Sequence, residues 1–400
     1  MKVLHVITGL DAGGAEIQLA MLLERTRHEA SVVSLYNAGP IAERIRAAGT
    51  PVHDLGMRSN TQVSALYDLW RLIRAGRYDV VHAHLYRSQI YARPAARLAG
   101  TPLVLTTEHS IGETHIERRP MTRRVRALYL ASERFSDATI AVSDVVRERL
   151  VAWGVPDRKI VTIPNGIDVS SLAFDPAARA RVRASFGIPA DAFVIGTLGR
   201  LDPNKRVDLI VEAAAPLLGP GVKVFVVGRG EDHDRLVART AALGASDHVI
   251  FAGFQADTAA MLAALDVYVA ASVQETFGLS VLEALASGLP VCYTTCPALD
   301  GVSTGRARQV VGDPVALRAE LQRLRDAPAP RAVPVEVFDR YGMGAVAGRT
   351  DQLYAELLAA RARAGSRRAG RALQGAGGAA TDLPSPTPLS PTPAPRAEAS

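Results

Sequence analysis

Cysteine is almost absent from this 400-residue chain, which contains only Cys292 and Cys296. Two cysteines cannot build the disulfide framework of a small secreted protein, so the composition fits a reducing compartment. Their spacing is not that of a zinc site or a redox pair, and we expect two small, partly buried side chains. The first residues lead straight into a strand pattern without an apolar signal core, so we expect no signal peptide.

Long apolar runs are missing too. The best candidate for a spanning helix, residues 209–228, is interrupted by Glu212 and Lys223, so we expect no segment that crosses a bilayer. The chain is nevertheless 48% hydrophobic, which suffices for two cores and, at this length, favours two domains. The formal net charge of +6 suits an anionic small molecule or an anionic membrane surface without requiring either.

Short apolar runs alternate with amphipathic stretches, which is the pattern of parallel α/β architecture. In the first half the runs lie at residues 3–8, 30–36, 80–85, 103–107, 138–143 and 160–164. In the second half they lie at residues 193–199, 222–228, 249–254, 267–271 and 290–294. Two predicted helices have a clear apolar face, formed by Leu66, Leu69, Trp70 and Ile73 and by Val207, Ile210, Val211 and Ala214.

We therefore predict two Rossmann-like domains, residues 1–170 and 171–345, that face each other across a cleft. A C-terminal helix at residues 346–362 and a tail at residues 363–400 follow. The tail is rich in Arg, Ala and Gly and then in Pro and Ser, a composition that cannot bury a core, so we expect disorder.

Two loops are candidates for binding an anion. Gly13-Gly14 follows the first strand and opens the first helix, where glycine permits close approach and helix amides favour negative charge, although many α/β proteins have glycine there for structural reasons alone. In the second half, Arg200 ends a strand and Lys205 begins the next helix. Only four of the 46 basic residues are lysine, so this lysine is informative. Together the two cations could clamp a diphosphate, or be solvated loop charges.

Two carboxylates give the strongest signal. Glu275 follows the strand predicted at residues 267–271, and Glu283 lies eight positions later, about two turns into the following helix. Such a pair can bind two sets of hydroxyls on one ligand, and the amides of Phe277-Gly278-Leu279 at the helix start face the same place. The carboxyl ends of parallel strands are where α/β sheets bind ligands.

In this order the motifs resemble those of the family-four retaining glycosyltransferases of the GT-B fold, the group 1 glycosyltransferases. The matching elements are Gly13-Gly14, His109, Asn165-Gly166-Ile167-Asp168, Arg200 with Lys205, Glu275 to Glu283, and ALASGLP at residues 284–290. The resemblance covers about residues 1–300.

The resemblance implies a role for each matching residue. Glu275 holds the hydroxyls of the donor sugar, Glu283 holds the ribose, Arg200 and Lys205 neutralise the diphosphate, and His109 reaches the sugar across the cleft. We expect the nucleotide sugar to contact the remaining predicted site residues: Gly13, Gly14, Asn165, Gly228, Phe277, Gly278 and Leu279. His82 and His84 end a strand that faces the same cleft, and either a structural or a functional role fits them.

Two positions depart from the family pattern. The family has a Gly-Gly loop followed by a carboxylate where this chain reads TTCPALDG at residues 294–301, so the family's nucleotide contacts at that loop are not carried over to this chain. Arg229 stands where the family more often has Asp, which affects base and ribose recognition.

We predict a metal-independent reaction with no cofactor beyond the donor substrate, a UDP- or GDP-sugar. Asp232-His233-Asp234 has the D-x-D pattern of a metal site, but it starts a predicted helix, where acidic residues complement the helix dipole. The resemblance implies transfer with retention of configuration, with the leaving phosphate taking the acceptor's proton.

The acceptor is expected to be a glycan or a lipid-linked precursor in polysaccharide biosynthesis, and no nucleic acid is predicted to bind. The basic segment at residues 117–126 precedes apolar residues 127–130 and could dock on an anionic membrane or be a solvated face. A cytoplasmic protein, peripheral on the inner face of the membrane if the segment docks, is therefore predicted. A nucleotide-sugar epimerase or phosphorylase of the same fold, or a non-catalytic nucleotide-sugar-binding protein, is the alternative.

Overall fold

The computed structural model describes residues 1–117, 119–310 and 312–377. For residues 365–377 it describes the backbone alone. Met1–Tyr354 form one compact unit that contains two parallel sheets, and a second unit begins at Ala355. The sequence-predicted domain boundary at residue 170 falls between the two sheets and stays a prediction.

The first sheet has seven parallel strands. They are β1 (Lys2–Ile7), β2 (Glu29–Ser34), β3 (Val52–Asp54), β4 (Val80–His84), β5 (Leu103–Glu108), β8 (Ala138–Ala141) and β9 (Ile160–Thr162), and a small antiparallel hairpin of β6 (His115–Ile116) and β7 (Arg119–Pro120) follows β5. Their spatial order, β3-β2-β1-β4-β5-β8-β9, reverses direction beside β1. In such sheets the crevice at the reversal, outside the carboxyl ends of the strands, is where ligands bind.

The second sheet has six parallel strands in the order β12-β11-β10-β13-β14-β15. They are β10 (Phe193–Leu198), β11 (Val222–Val227), β12 (Val249–Gly253), β13 (Val267–Ala270), β14 (Val291–Tyr293) and β15 (Ala307–Gln309). The reversal lies between β10 and β13, whose following loops carry Arg200 and Glu275. All eleven strands predicted from apolar runs are present, and the expected α/β fold is confirmed.

Helices cover both sheets. Those of the first half are α1 (Gly14–Leu23), α2 (Pro40–Ala47), α3 (Ser64–Gly76), α4 (Tyr86–Ala99), α5 (Arg123–Glu133) and α6 (Asp144–Trp153). Those of the second half are α7 (Pro176–Ser185), α8 (Val207–Ala214), α9 (His233–Ala242), α10 (Thr258–Ala263), α11 (Leu279–Ala286), α12 (Pro314–Asp326), α13 (Val335–Tyr341) and α14 (Met343–Gly377). The apolar faces predicted on α3 and α8 pack inward, with Leu69, Ile73, Val207 and Ile210 all buried. Cys292 and Cys296 are buried and unpaired, as expected.

The C-terminal helix is longer than the sequence predicted. It runs from Met343 to Gly377 and so continues into the segment predicted to be tail. The Ala- and Arg-rich composition there has high helix propensity, which outweighs the scattered glycines. The rest of the predicted tail, residues 378–400, lies outside the described residues. Within the described part of the chain, none of the helices combines the length and the apolar character that crossing a bilayer requires.

Candidate active site between the two sheets

Two turns at the carboxyl end of the second sheet bring Lys205 against Glu275. Nζ of Lys205 lies 2.6 Å from Oε1 of Glu275. Asn204 holds the turns together, because its side-chain amide donates to the carbonyl of Gln274 at 2.9 Å and its Oδ1 accepts from the Gln274 N–H at 2.9 Å. Sequence reasoning missed Asn204, although the Asp-Pro-Asn turn signal at residues 202–204 could have found it.

A pocket opens beside this pair at the ends of β10 and β13. Its lining includes Arg200 and Lys205, together with Gly199, Tyr268 and Ser280. Arg200 is exposed and forms no ion pair with any described residue. Arg200 and Lys205 therefore line one pocket, Lys205 bonded to a carboxylate and Arg200 without an ion pair to a described residue, and their role as a diphosphate clamp stays a prediction.

The start of α11 depends on a glycine. Gly278 has a φ of 98°, and a Cβ there would overlap Sγ of Cys296, so only glycine fits. The buried side chain of Phe277 packs edge-on against Tyr341, with ring centroids 5.4 Å apart. Phe277 can therefore offer a ligand only its backbone. Leu279 is the first helical residue, and its N–H is one of the first-turn amides that have no acceptor within the helix.

Glu283 lies about one turn into α11. The sequence predicted about two turns, which is wrong because the loop after Glu275 stays irregular until Leu279. Its carboxylate accepts no hydrogen bond from the described residues, and burial raises its pKa to about 7. Both Glu283 and Glu275 lie close enough to Tyr268 to add to the rise that burial produces in the pKa of its hydroxyl. The two carboxylates therefore surround one small region, and Glu283 has no partner there.

Gly228 has a structural reason to be glycine. Its φ is 142°, and a Cβ would overlap the carbonyl oxygen of Gly199, because the turns after β10 and β11 touch. The predicted contact of Gly228 with the nucleotide sugar stays a prediction.

A second pocket opens at the carboxyl end of the first sheet, where His109 follows β5. His84, Asn165 and Gln18 line it with His109. Burial lowers the pKa of His109 to about 4, and the Asn165 side chain opposes that shift, although no hydrogen bond to Nδ1 of His109 has ordinary geometry. His109 is therefore a neutral imidazole whose Nδ1 is buried near the Asn165 side chain.

Gln18 fixes the chain where it crosses from the first sheet to the second. Its side chain donates to the Gly166 carbonyl and accepts from the Gly166 N–H, both at 2.8 Å. The crossing is also tied to the end of α13, because the Ile167 N–H donates to the carbonyl of Tyr341 at 2.7 Å. Sequence reasoning missed Gln18; its one signal is a polar side chain on the buried face of α1.

The two pockets lie on edges of the two sheets that contact each other. A Cβ added to Gly14 would approach Cδ1 of Leu279 to 3.1 Å, so the glycine loop of the first sheet lies on the start of α11. Ser143 Oγ donates to the Thr276 carbonyl at 2.6 Å, and Gln274 Nε2 donates to Glu113 Oε2 at 3.2 Å. The carboxyl edges of the sheets thus face each other across the cleft, as the sequence predicted.

Asp232, the first aspartate of the D-x-D pattern, is bound to an arginine, and the absence of a metal stays a prediction. This residue precedes α9 and is buried, and both of its oxygens accept from the Arg235 guanidinium, at 2.5 and 2.7 Å. Asp234 points to solvent. The pair is therefore not assembled as a set of ligands.

The basic segment contains β7 and the start of α5. Arg123 and Arg124 are exposed, and Leu128, one turn after Arg124, is 51% exposed. Arg126 is engaged, since its Nε donates to the Trp153 carbonyl at 2.9 Å. Arg118 lies outside the described residues. The helix therefore presents a surface of two arginines and one large apolar side chain.

The sequence is similar to those of known glycosyltransferases. Residues 12–171 match the family model described as Glycosyltransferase Family 4, and residues 178–321 match Glycosyl transferases group 1. The chain is 33% identical to a GDP-mannose-dependent alpha-mannosyltransferase of Mycobacterium tuberculosis, over 67% of this chain and 71% of that protein. It is 27% identical to the UDP-Gal:alpha-D-GlcNAc-diphosphoundecaprenol alpha-1,3-galactosyltransferase of Escherichia coli, over 63% and 68%.

A solved structure shares the fold. Anabaena HepE in complex with UDP-glucose superposes with a TM-score of 0.77 at 22% identity, covering 90% of this chain and 100% of that one. The fold is GT-B, as the sequence predicted.

Proposed function

Because the chain belongs to the group 1 glycosyltransferases, we propose that it transfers a sugar from a UDP- or GDP-sugar to a glycan or lipid-linked acceptor, with retention of configuration and without a metal. The observation that carries the proposal is the grouping of Lys205, Glu275 and Glu283 around the start of α11. Cations for a diphosphate and carboxylates for hydroxyls then lie within reach of one ligand.

Each group receives one part of the donor. Arg200, the free cation, and Lys205 bind the diphosphate, and the unpartnered carboxylate of Glu283 accepts from ribose hydroxyls. Glu275 accepts from sugar hydroxyls, and Nδ1 of His109 meets the sugar from the other side of the cleft. UDP and UDP-glucose are bound by HepE, which supports a nucleotide sugar as the donor class.

The chemistry is a substitution at the anomeric carbon. The bond from that carbon to the β-phosphate oxygen breaks, and a bond from the acceptor hydroxyl oxygen forms on the same face. The acceptor proton passes to the leaving phosphate. Negative charge that develops on the phosphate is stabilised by Arg200, Lys205 and the amides at the start of α11.

The acceptor side is proposed to lie at the inner face of a membrane. The exposed Arg123, Arg124 and Leu128 of α5 combine charge and an apolar side chain in the way that interfacial helices do. The E. coli relative acts, by its name, on a diphosphoundecaprenol acceptor, which supports a lipid-linked precursor here.

A thermal-shift screen with UDP, GDP, ADP and their sugars tests the donor class. We expect a rise in melting temperature with one nucleoside diphosphate, and transfer from the matching sugar that persists in excess EDTA. Retention is read from the anomeric configuration of the product by NMR. Loss of turnover in EDTA, restored by manganese or magnesium, would refute metal independence. Formation of the epimerised nucleotide sugar without an acceptor would favour an epimerase.

A further inference from the structure

Three histidines form a continuous hydrogen-bonded row that ends at the sugar-facing side chain of His109. Nδ1 of His5 lies 3.0 Å from Nε2 of His84, and Nδ1 of His84 lies 3.4 Å from Nε2 of His109. The ring centroids are 5.3 and 5.7 Å apart. Each centroid separation equals the nitrogen–nitrogen distance plus the radii of the two rings. Neighbouring rings therefore point nitrogen to nitrogen, as a hydrogen bond requires, and are not stacked face to face.

All three rings are neutral at pH 7. Burial lowers the pKa of His5 to about 3 and that of His109 to about 4, and it lowers the pKa of His84 well below its usual value, with the neighbouring rings adding to that shift. A neutral imidazole has one N–H and one lone pair. Each ring in the row can therefore donate on one side only.

The positions of the protons are coupled along the row. If His5 donates to His84, then His84 donates to His109, and Nδ1 of His109 faces the pocket as a donor. If His109 donates to His84, the order is reversed, and Nδ1 of His109 becomes an acceptor. Nδ1 of His109 is buried and makes no hydrogen bond of ordinary geometry with a described residue, and the Asn165 side chain lies beside the ring. The state of Nδ1 is therefore what Asn165, or a ligand that displaces it, meets.

We propose that His5 and His84 are positioning residues that set the tautomer of His109, and with it the hydrogen bond that His109 makes to the donor sugar. The inference rests on the proposed function, because it takes the sugar as the ligand of His109. His5 lies in β1, level with His82 of β4, and is not among the residues that line the pocket. It is hydrogen-bonded to His84, through which it would act on His109.

A metal site does not fit the same residues, although His5, His82 and His84 place ring nitrogens within 4.8 Å of one another. The rings of His82 and His84 pack with centroids only 4.2 Å apart, so their in-plane lone pairs do not converge. Both nitrogens of His82 are also occupied, by the Tyr354 hydroxyl at 2.6 Å and Thr107 Oγ1 at 2.7 Å. His82 therefore stands beside the row without belonging to it.

The test is the ring-nitrogen NMR spectrum of the histidine-labelled full chain, compared between wild type, His5→Leu and His5→Asn. The Asn side-chain amide occupies about the position of Nδ1 and can donate or accept, so it keeps the contact with His84, whereas Leu removes it. We expect one neutral tautomer of His109 in wild type and His5→Asn, and a mixture in His5→Leu. His82→Leu controls for loss of a buried imidazole outside the row and should keep the wild-type tautomer.

Kinetics provide the second readout. Once the donor is identified, His5→Leu should lower kcat by up to about tenfold, which corresponds to the loss of one neutral hydrogen bond. The affinity for the nucleoside diphosphate should stay normal. His5→Asn should have the kcat of wild type. The inference would be overturned if the tautomer of His109 were unchanged in His5→Leu. It would also be overturned if zinc bound stoichiometrically and shifted the nitrogen signals of His5, His82 and His84. Failure of wild type to bind any nucleotide sugar would instead refute the proposed function, and the NMR comparison needs no substrate.

Discussion

Lys205 and Glu275, the residues assigned to the diphosphate and to the sugar, are bonded to each other, with Nζ 2.6 Å from Oε1. Both side chains are largely buried, 28% and 17% exposed. In the free protein the pair keeps each charge satisfied. A bound donor must share the lysine with the carboxylate or separate the two, so substitutions of either residue affect both.

Glu275→Gln removes the charge but keeps the size of the side chain. We expect turnover to fall at least about tenfold, because a hydrogen bond to a charged group is worth roughly 1.5–3 kcal/mol. Affinity for the free nucleoside diphosphate should be unchanged or higher, since Lys205 loses its competitor. Calorimetric titration beside rate measurements with the full donor tests both statements. A loss of nucleoside diphosphate affinity in this variant would reverse the assigned roles.

Glu283→Gln should behave differently, because ribose is present in both the donor and the free nucleoside diphosphate. We expect affinity for both ligands to fall about tenfold at pH 8, where the carboxylate is ionised. The same titrations measure this effect. If neither Glu283→Gln nor Glu275→Gln changes binding or rate, the two carboxylates are structural and the proposed site is refuted.

Lys205→Ala removes a point charge from the clamp. Binding of the nucleoside diphosphate should weaken, and the difference from wild type should shrink as salt is raised, because screening reduces what the lysine contributes. Titrations at two salt concentrations measure this. Arg58→Ala, an exposed arginine away from the site, is the matched control. A loss of affinity that does not vary with salt would mean that Lys205 acts by shaping the turn.

Glu283 should also make stability depend on pH. Its pKa is raised by burial, from an ordinary 4.5 to about 7, so the folded state binds the proton more tightly than the unfolded state. Its contribution to stability is therefore full below pH 4.5 and is lost as pH rises to 7. Relative to wild type, Glu283→Gln should gain about 1–3 kcal/mol in free energy of unfolding between pH 5 and pH 8.

Urea unfolding at the two pH values measures that gain. Glu148→Gln, on the exposed side of α6, is the control and should show no pH-dependent difference. An equal effect of Glu283→Gln at pH 5 and pH 8 would mean that Glu283 is already ionised in the folded protein at pH 5.

The surface of α5 is tested by charge reversal. Arg123→Glu with Arg124→Glu should abolish binding to anionic liposomes and leave donor hydrolysis nearly intact, because both side chains are exposed and lie outside the site. Sedimentation with liposomes of mixed neutral and anionic lipid measures binding. Arg58→Glu with Arg71→Glu changes the net charge equally and should bind like wild type. Equal losses in both double variants would indicate attraction by net charge alone.

Strands with continuous apolar runs were predictable, including the three-residue edge strand β9, whereas the edge strands β3 and β15 were not. β3 (Val52–Asp54) and β15 (Ala307–Gln309) lie at sheet edges and carry exposed polar residues, so they lack the hydrophobic signal that buried parallel strands need. The end of α14 was predicted wrongly, because composition was taken as the only signal. Composition indicated a polar tail, while local helix propensity carries the helix on to Gly377.

The fold class and the order of the site motifs were readable from the amino-acid sequence, because strand burial and turn chemistry are local and leave periodic signals. Contacts between distant residues became visible only in the folded chain. The pairing of Lys205 with Glu275 depends on how Asn204 joins two turns, and the row from His5 through His84 to His109 depends on which strands lie side by side. No local pattern encodes these relations, because strand order arises from packing the whole sheet, and it is this order that turns separate side chains into one site.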